Sequence, residues 1–361
     1  MAPATPLAAS VDAEPPLKVL IVDDSVVARA VMTRIVDADA RFVVSGSVAT
    51  ASAALTLLAR ERVDLILLDL QMPGVDGITA LPDLIAAGQG ARILVVSAQA
   101  SDGAAVTLQA LALGAADTLV KPAAGARMAT FGESLIGKLA RLGTSTSETP
   151  PPAPTPLRPA TGMETMSARA DFDLVAIGAS TGGIHALSQV LRTIPAGFRL
   201  PILITQHLPA SFMPYFAAQL AVLAGRPCEV ASDRLRVQPG RIVVAPGDAH
   251  IRCVALPDGG AAIRLTNDQV ASGCLPSVDP MFASAAAVYG PRLLAIVLSG
   301  MGRDGADGAR TVRDAGGCVI VQDQASSVVW GMPGAVAAIG AADAILAPDA
   351  IGRLVVRGER P

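Results

Sequence analysis

Asp173-Leu-Val-Ala-Ile177, continued by Gly178-Ala-Ser-Thr-Gly-Gly183, reads as an apolar strand that turns sharply into a helix starting near Ile184. The first five residues of the turn fit G-x-S-x-G, the elbow that exposes a serine hydroxyl beside the N–H groups of a helix N-terminus. Ser180 is therefore a candidate nucleophile, the alternative being one polar residue in a tight Gly-rich turn. Two phosphate-binding readings fail here. Ser180 stands where a dinucleotide fingerprint needs its second glycine, and no Lys follows Gly183 as a P-loop requires.

Outward from this elbow, strand–helix alternation runs on through 202–205, 242–244, 293–298 and 319–321, the signature of a parallel sheet with crossover helices. One interruption, 251–256 and 262–265 around Pro257-Asp-Gly-Gly260, reads as an antiparallel hairpin and predicts a mixed sheet. Before the elbow, residues 143–170 form a linker: Ser/Thr-rich to 148, then carrying Pro150, Pro151, Pro152, Pro154, Pro156 and Pro159. Upstream again, short Val/Ile/Leu runs at 19–22, 42–45, 65–68, 93–96 and 118–120 alternate with helical stretches as a (βα)5 unit. The expected organisation is a disordered tail over 1–16, a first domain over 17–142, the linker, and a second domain over 171–361. The fold class is α/β: a flavodoxin-like (βα)5 domain, then a doubly wound, mostly parallel sheet with an antiparallel hairpin.

Composition narrows the function. The 361 residues are 52% hydrophobic and 16% charged, as in soluble globular cores. A net charge of -3 with 3% aromatic residues supplies neither the basic field nor the stacking platforms of a nucleic-acid binder. Cys228, Cys253, Cys274 and Cys318 form no C-x-x-C pair and the three histidines are scattered, so spacing suggests neither a zinc site nor a disulfide framework. No apolar run is long enough to span a bilayer, and the N-terminus lacks a basic leader. A cytoplasmic protein without membrane insertion is expected.

In an open parallel sheet, ligand groups collect beyond the carboxyl ends of the strands. In the first domain those ends carry Asp23-Asp24, Asp69, Ser97 and Lys121-Pro122. Three converging carboxylates repel one another unless a hard, oxygen-preferring cation such as Mg2+ sits among them. An aspartate beside such a cation can attack phosphorus while Lys121 and Ser97 hold the remaining oxygens. The set resembles the receiver domain of two-component response regulators. The resemblance implies Asp69 as phospho-acceptor, Asp23, Asp24 and Asp69 as the Mg2+ site, Ser97 as the switch hydroxyl and Lys121 as the phosphoryl contact. It extends to Asp69-Leu-Gln-Met-Pro-Gly-Val-Asp-Gly77. Thr118 departs from it, standing where receivers usually place an aromatic switch residue.

In the second domain Ser180 needs a base. His185 lies on the elbow helix and reads as surface or packing; His250 opens a hairpin strand. His207 ends the strand at 202–205, on the same rim as Ser180. Asp304, in Ser299-Gly-Met-Gly-Arg-Asp-Gly-Ala306, follows another strand and is the candidate orienter of that histidine, or a helix cap. The order Ser, His, Asp differs from the Ser, Asp, His of α/β-hydrolases. With Ala245-Pro-Gly-Asp248, Pro276-Ser-Val-Asp279, Gln322-Asp-Gln-Ala-Ser-Ser327 and Trp330-Gly-Met-Pro333, the domain resembles the catalytic domain of the chemotaxis protein-glutamate methylesterases. Gly334, and Cys274-Leu275 before Pro276, depart from that pattern, where basic residues are frequent.

The resemblance implies a phosphorylation-activated esterase that hydrolyses glutamate γ-methyl esters on chemoreceptors and deamidates selected receptor glutamines. Its implied catalytic set is Ser180, His207 and Asp304, with the backbone N–H of Met301 at the oxyanion and Thr181 in support. It needs no cofactor in the catalytic domain. Its implied partners are methyl-accepting chemoreceptors and a chemotaxis histidine kinase, at receptor arrays on the inner face of the membrane. The alternatives are a non-catalytic receptor-docking regulator and a DNA-binding regulator; the latter would need a short basic helix-turn-helix module in place of 171–361.

Overall fold

Continuous apolar strands are stable only when both faces of their sheet are covered, and two such sheets organise the computed structural model, which describes residues 15–72, 76–97, 101–122, 128–144 and 171–361. The first unit runs β1 (Leu17–Val22), α1 (Val26–Asp37), β2 (Phe42–Val48), α2 (Ala51–Leu58), β3 (Leu65–Leu68), α3 (Gly77–Gly88), β4 (Arg92–Ser97), α4 (Ser101–Leu113), β5 (Asp117–Val120) and α5 (Met128–Thr144). Its five strands are parallel in the order β2-β1-β3-β4-β5. Ser25, Thr50 and Asp76 cap α1, α2 and α3, each side-chain oxygen accepting from a backbone N–H of the first turn. The tail expected at 1–16 and the linker expected at 143–170 lie almost wholly outside the described residues, as do Pro73, Gly74 and Val75 of the loop after Asp69.

The second unit runs β6 (Leu174–Ala179), α6 (Gly183–Thr193), β7 (Ile202–Gln206), α7 (Met213–Ala224), β8 (Cys228–Val230), β9 (Ile242–Val244), β10 (His250–Ala255), β11 (Ala261–Thr266), α8 (Val278–Tyr289), β12 (Leu293–Val297), α9 (Ala306–Asp314), β13 (Cys318–Gln322), α10 (Gly331–Ala338), β14 (Ala344–Leu346) and α11 (Pro348–Arg357). Seven strands form one parallel sheet, β14-β13-β12-β6-β7-β9-β8. The hairpin does not enter it: β10 pairs with β11, from His250 opposite Thr266 to Ala255 opposite Ala261, and β11 makes a further antiparallel bridge to Arg236 outside the sheet. The expected mixing of the large sheet therefore does not occur, because the hairpin packs on a face of the sheet, against α8. The edge strands β8 and β14 have no counterpart in the sequence reading; each is three half-buried residues long, too short for a periodic signal.

From β6 the chain steps to β7 on one side and later returns to β12 on the other. The elbow at the end of β6 thus stands at the topological switch point, where open α/β sheets form their crevice. One face of this sheet is covered by α6, α7 and α11, the other by α8, α9, α10 and the hairpin. The first face is not closed by its own unit alone. Leu108 and Leu111 of α4 belong to the same buried cluster as Ile184, Leu187, Met213 and Phe216, so the two units share a continuous core along α4, α6 and α7.

Candidate active site

The elbow is fixed by its neighbours before any chemistry is considered. Gly182 has φ +74, and a Cβ there would lie 2.3 Å from Val328 Cβ. A Cβ on Gly183 would meet Ala179, Gln206 and the Ser299 carbonyl at 2.7–3.0 Å. Only glycine satisfies both the left-handed backbone and the close approach. Ser180 N–H donates to the Ser299 carbonyl at 3.0 Å, Ser299 Oγ donates to the Thr181 carbonyl at 2.8 Å, and Gln206 Nε2 donates to the Ser180 carbonyl at 3.0 Å. Ser299 is itself held by Gln322, whose Oε1 accepts its N–H at 2.7 Å. Gln322, from the Gln322–Ser327 motif, thus pins the residue that pins the elbow.

His207 leaves the end of β7 with 18% of its side chain exposed, and its Nε2 is 2.8 Å from Asp304 Oδ2. The pair leaves Nδ1 as the nitrogen available to a proton from Ser180. Asp304 is 1% exposed and does not cap its own helix: the N-cap of α9 is Gly305, which makes no side-chain cap bond. It lies instead at the N-terminus of α8, accepting from Ser277 Oγ at 2.5 Å and from Val278 N–H at 2.8 Å, where the helix dipole favours an anion. Burial alone would push its carboxyl up, but the hydrogen bonds from His207, Ser277 and Val278 together hold it below the ordinary carboxylate range. An ionised Asp304 can orient His207 and stabilise its imidazolium.

Ser277 lies inside a sequence motif, yet nothing in the sequence pairs it with Asp304, 27 residues away. The structure also shows why His250 is not a base. It is 1% exposed, its Nδ1 accepts from Ser277 N–H at 2.9 Å and its Nε2 is 3.0 Å from the Asp268 carbonyl. Both nitrogens are engaged, and the ring buttresses the Ser277 support of Asp304. Met301 is 37% exposed beside Ser180. Its backbone N–H has no acceptor among the described residues. Thr181 lines the same cavity.

That cavity, about 240 Å3, is closed by the first unit: Asp117, Thr118 and Lys138 form one wall, Ser180, His207 and Met301 the other. Direct bonds join the walls. Gly182 N–H of the elbow donates to the Ala116 carbonyl at 3.0 Å, and Gln219 Nε2 donates to the Leu108 carbonyl at 3.4 Å. His185, expected at the surface or in packing, has Nδ1 2.9 Å from the Ala112 carbonyl and Nε2 2.9 Å from Gln189 Nε2. Since a carbonyl only accepts, the proton sits on Nδ1.

In the first unit, Asp23, Asp24 and Asp69 bring carboxylate oxygens within 4.8 Å of one another. Lys121 Nζ is 2.8 Å from Asp23 Oδ2 and 2.6 Å from Asp69 Oδ2. Burial raises the Asp69 carboxyl, a trend that Lys121 opposes. Asp23 Oδ2 is buried and, despite the nearby ammonium, lacks a hydrogen bond of good geometry among the described residues. An all-oxygen set with an under-satisfied buried oxygen fits a hard divalent cation. Ser97 is buried and its hydroxyl is 3.3 Å from that of Thr107. Thr118 Oγ1 is buried without a hydrogen-bond partner among the described residues.

Residues 175–355 match the CheB methylesterase family and residues 19–131 the response regulator receiver domain. The protein-glutamate methylesterase/protein-glutamine glutaminase 2 of Caulobacter vibrioides is 40% identical over 95% of this chain and 99% of its own length. The chain belongs to the CheB methylesterase family. A second such methylesterase/glutaminase, protein 1 of Paramagnetospirillum magneticum, is 39% identical over 91% of this chain and 93% of its own. The crystal structure of the Thermotoga maritima CheB methylesterase catalytic domain superposes with a TM-score of 0.50 at 34% identity, covering 52% of this chain and 98% of that one. Among the described residues, no helix is long and apolar enough to cross a membrane.

Proposed function

We propose that this chain hydrolyses glutamate γ-methyl esters on methyl-accepting chemoreceptors, deamidates selected receptor glutamines, and is switched on by phosphorylation of Asp69 from a chemotaxis histidine kinase. Ser180 Oγ attacks the acyl carbon as His207 Nδ1 takes its proton. Asp304 keeps the ring oriented and offsets its positive charge. The Met301 N–H holds the oxyanion, and Thr181 supports the elbow side of the pocket. Collapse expels methanol, or ammonia from an amide, protonated by His207. Water then hydrolyses the acyl-serine by the same route in reverse, leaving a glutamate carboxylate. The single observation carrying this reading is the Asp304-oriented His207 facing Ser180 across one small cavity at the switch point of the sheet.

Asp23, Asp24 and Asp69 would hold Mg2+, which when bound neutralises charge on incoming phosphoryl oxygens. Asp69 is the acceptor, Lys121 binds a phosphoryl oxygen and Ser97 another. Control follows from position. Lys121, held by Asp69, lines with Thr118 and Phe131 a cleft of about 640 Å3 whose other wall includes His207, Pro209 and Phe212. A phosphoryl group on Asp69 replaces the carboxylate contact of Lys121 with one to a phosphoryl oxygen, and the shift of Lys121 reshapes that wall and loosens the receiver from the esterase.

The test is methanol release from methylated receptor membranes, with and without a small-molecule phosphodonor. Stimulated release in the native chain, none in Ser180→Ala and unstimulated basal release in Asp69→Asn is the expected pattern. Full release by Ser180→Ala would sink the triad and favour a docking regulator; equal stimulation of Asp69→Asn would sink the phosphorylation switch.

A further inference from the structure

Three segments remote in sequence meet at the catalytic histidine: the end of β7 brings His207, the loop after β12 brings Asp304, and the loop before α8 brings Cys274. One donor atom from each, an imidazole nitrogen, a thiol sulfur and a carboxylate oxygen, lie within 4.8 Å of one another. These ligands share no local zinc motif; they are assembled only by the crossing of three strand-end loops. We propose that His207, Cys274 and Asp304 form a Zn2+ site whose occupation switches the esterase off.

The donor set selects the metal class. Nitrogen, sulfur and oxygen together suit a borderline-soft ion such as Zn2+, whereas Mg2+ and Ca2+ prefer all-oxygen sites such as the receiver's. Three protein ligands with a fourth position left to water is the usual open zinc arrangement. Bond lengths of about 2.0–2.3 Å in a tetrahedron place donors about 3.3–3.6 Å apart. Rotation of the Cys274 and His207 side chains closes the remaining gap. Asp304 is already oriented by Ser277 and Val278, the kind of support that fixes a metal ligand. An entry path exists that the receiver does not cover: Cys274 lines a cleft of about 390 Å3 with His250, Asp268 and Leu275, all from the catalytic domain.

Coordination at His207 Nε2 displaces its hydrogen bond to Asp304 Oδ2, moves the ring's one proton to Nδ1, and releases the Cys274 thiol proton to solvent. With Nε2 bound to the metal and Nδ1 carrying the proton, His207 has no lone pair left to accept a proton from Ser180. Ser180 is then left unactivated. The inhibitory consequence rests on the esterase reading above; metal binding itself does not.

Both arms use the full chain after chelator treatment. In the first, Co2+ is titrated into native protein, Ser180→Ala, Cys274→Ser and Cys274→Ala, and the thiolate-to-cobalt charge-transfer absorption is followed. A stoichiometric band in native protein and Ser180→Ala, displaced by Zn2+ and absent from both Cys274 variants, is expected. No band in native protein, or a band that survives in both Cys274 variants, overturns the site; two substitutions guard against one that fails to fold. In the second arm, Zn2+ is expected to lower kcat for methanol release with chelator restoring it. Each folded Cys274 variant should need at least about tenfold more Zn2+ for the same fractional loss. Equal Zn2+ sensitivity in native and Cys274 variants overturns the switch. A band in a chain with no esterase activity would sink the esterase reading and leave the metal site standing.

Discussion

Asp304 shows how much a single carboxylate can be asked to do. It is buried, yet three donors outweigh the desolvation and keep it ionised. Asp304→Asn preserves shape but presents an amide to His207, favouring the wrong tautomer; kcat for ester hydrolysis is expected to fall about ten-thousand-fold with a near-native circular dichroism spectrum. The same carboxylate gives a pH signature. Its folded pKa lies below the ordinary 3.8, so its contribution to stability is fully present above that value and is lost as pH falls through the lower, folded one. Acid unfolding of Asp304→Asn should therefore lack part of the parent's loss of stability below pH 3.8; superimposable acid limbs would show that the hydrogen bonds to Asp304 add nothing to the fold.

At the scale of elements, the β6–elbow–α6 unit is built around backbone that no side chain can share. Gly182→Ala places a Cβ both in the left-handed region and against Val328. The backbone term alone is about 1–2 kcal/mol, with overpacking adding about 1–3 kcal/mol. Thermal unfolding of this variant should come several degrees earlier and esterase activity should fall with it. An unchanged melting temperature would mean that the elbow relaxes freely.

This unit was also the most legible part of the sequence, because a buried strand, a Gly-rich turn and an amphipathic helix each leave their own pattern. Asp23, Asp69, Ser97, Lys121, Ser180 and His207 were legible for the same reason: each lies at or just beyond a strand end, and Asp304 lies in the Gly-rich loop after another. What was not legible came from elements without period. Ser277 and Cys274 reach the site from the loop before α8. The edge strands are three residues each, and the hairpin's independence from the large sheet is a packing outcome that alternation cannot encode.

For the whole molecule, the decisive feature is that α4 of the receiver completes the core over α6 and α7. The docking is apolar in the middle and hydrogen-bonded at His185, Gln219 and Gly182. A double variant, His185→Ala with Gln219→Ala, removes two of these bonds without touching the cavity wall. At about 0.5–1.5 kcal/mol per bond, basal methanol release should rise roughly fivefold or more while the phosphodonor-stimulated rate changes little. Equal basal rates in parent and variant would mean that these bonds form no part of the inhibitory contact.

The small cavity between the two domains has a further meaning in terms of competition. Under the function proposed above, a receptor glutamyl side chain would have to reach Ser180 through the cavity whose opposite wall the receiver supplies, so substrate and receiver would contend for one surface. Any ligand that favours the parted state must, by reciprocity of linked equilibria, favour whatever else favours it. Dense receptor substrate should thus act as an activator in its own right and speed phosphodonor uptake at Asp69. Phosphorylation kinetics of Ser180→Ala, measured with and without receptor membranes, would reveal it. The adaptation enzyme would then respond to how crowded its substrates are as well as to the kinase.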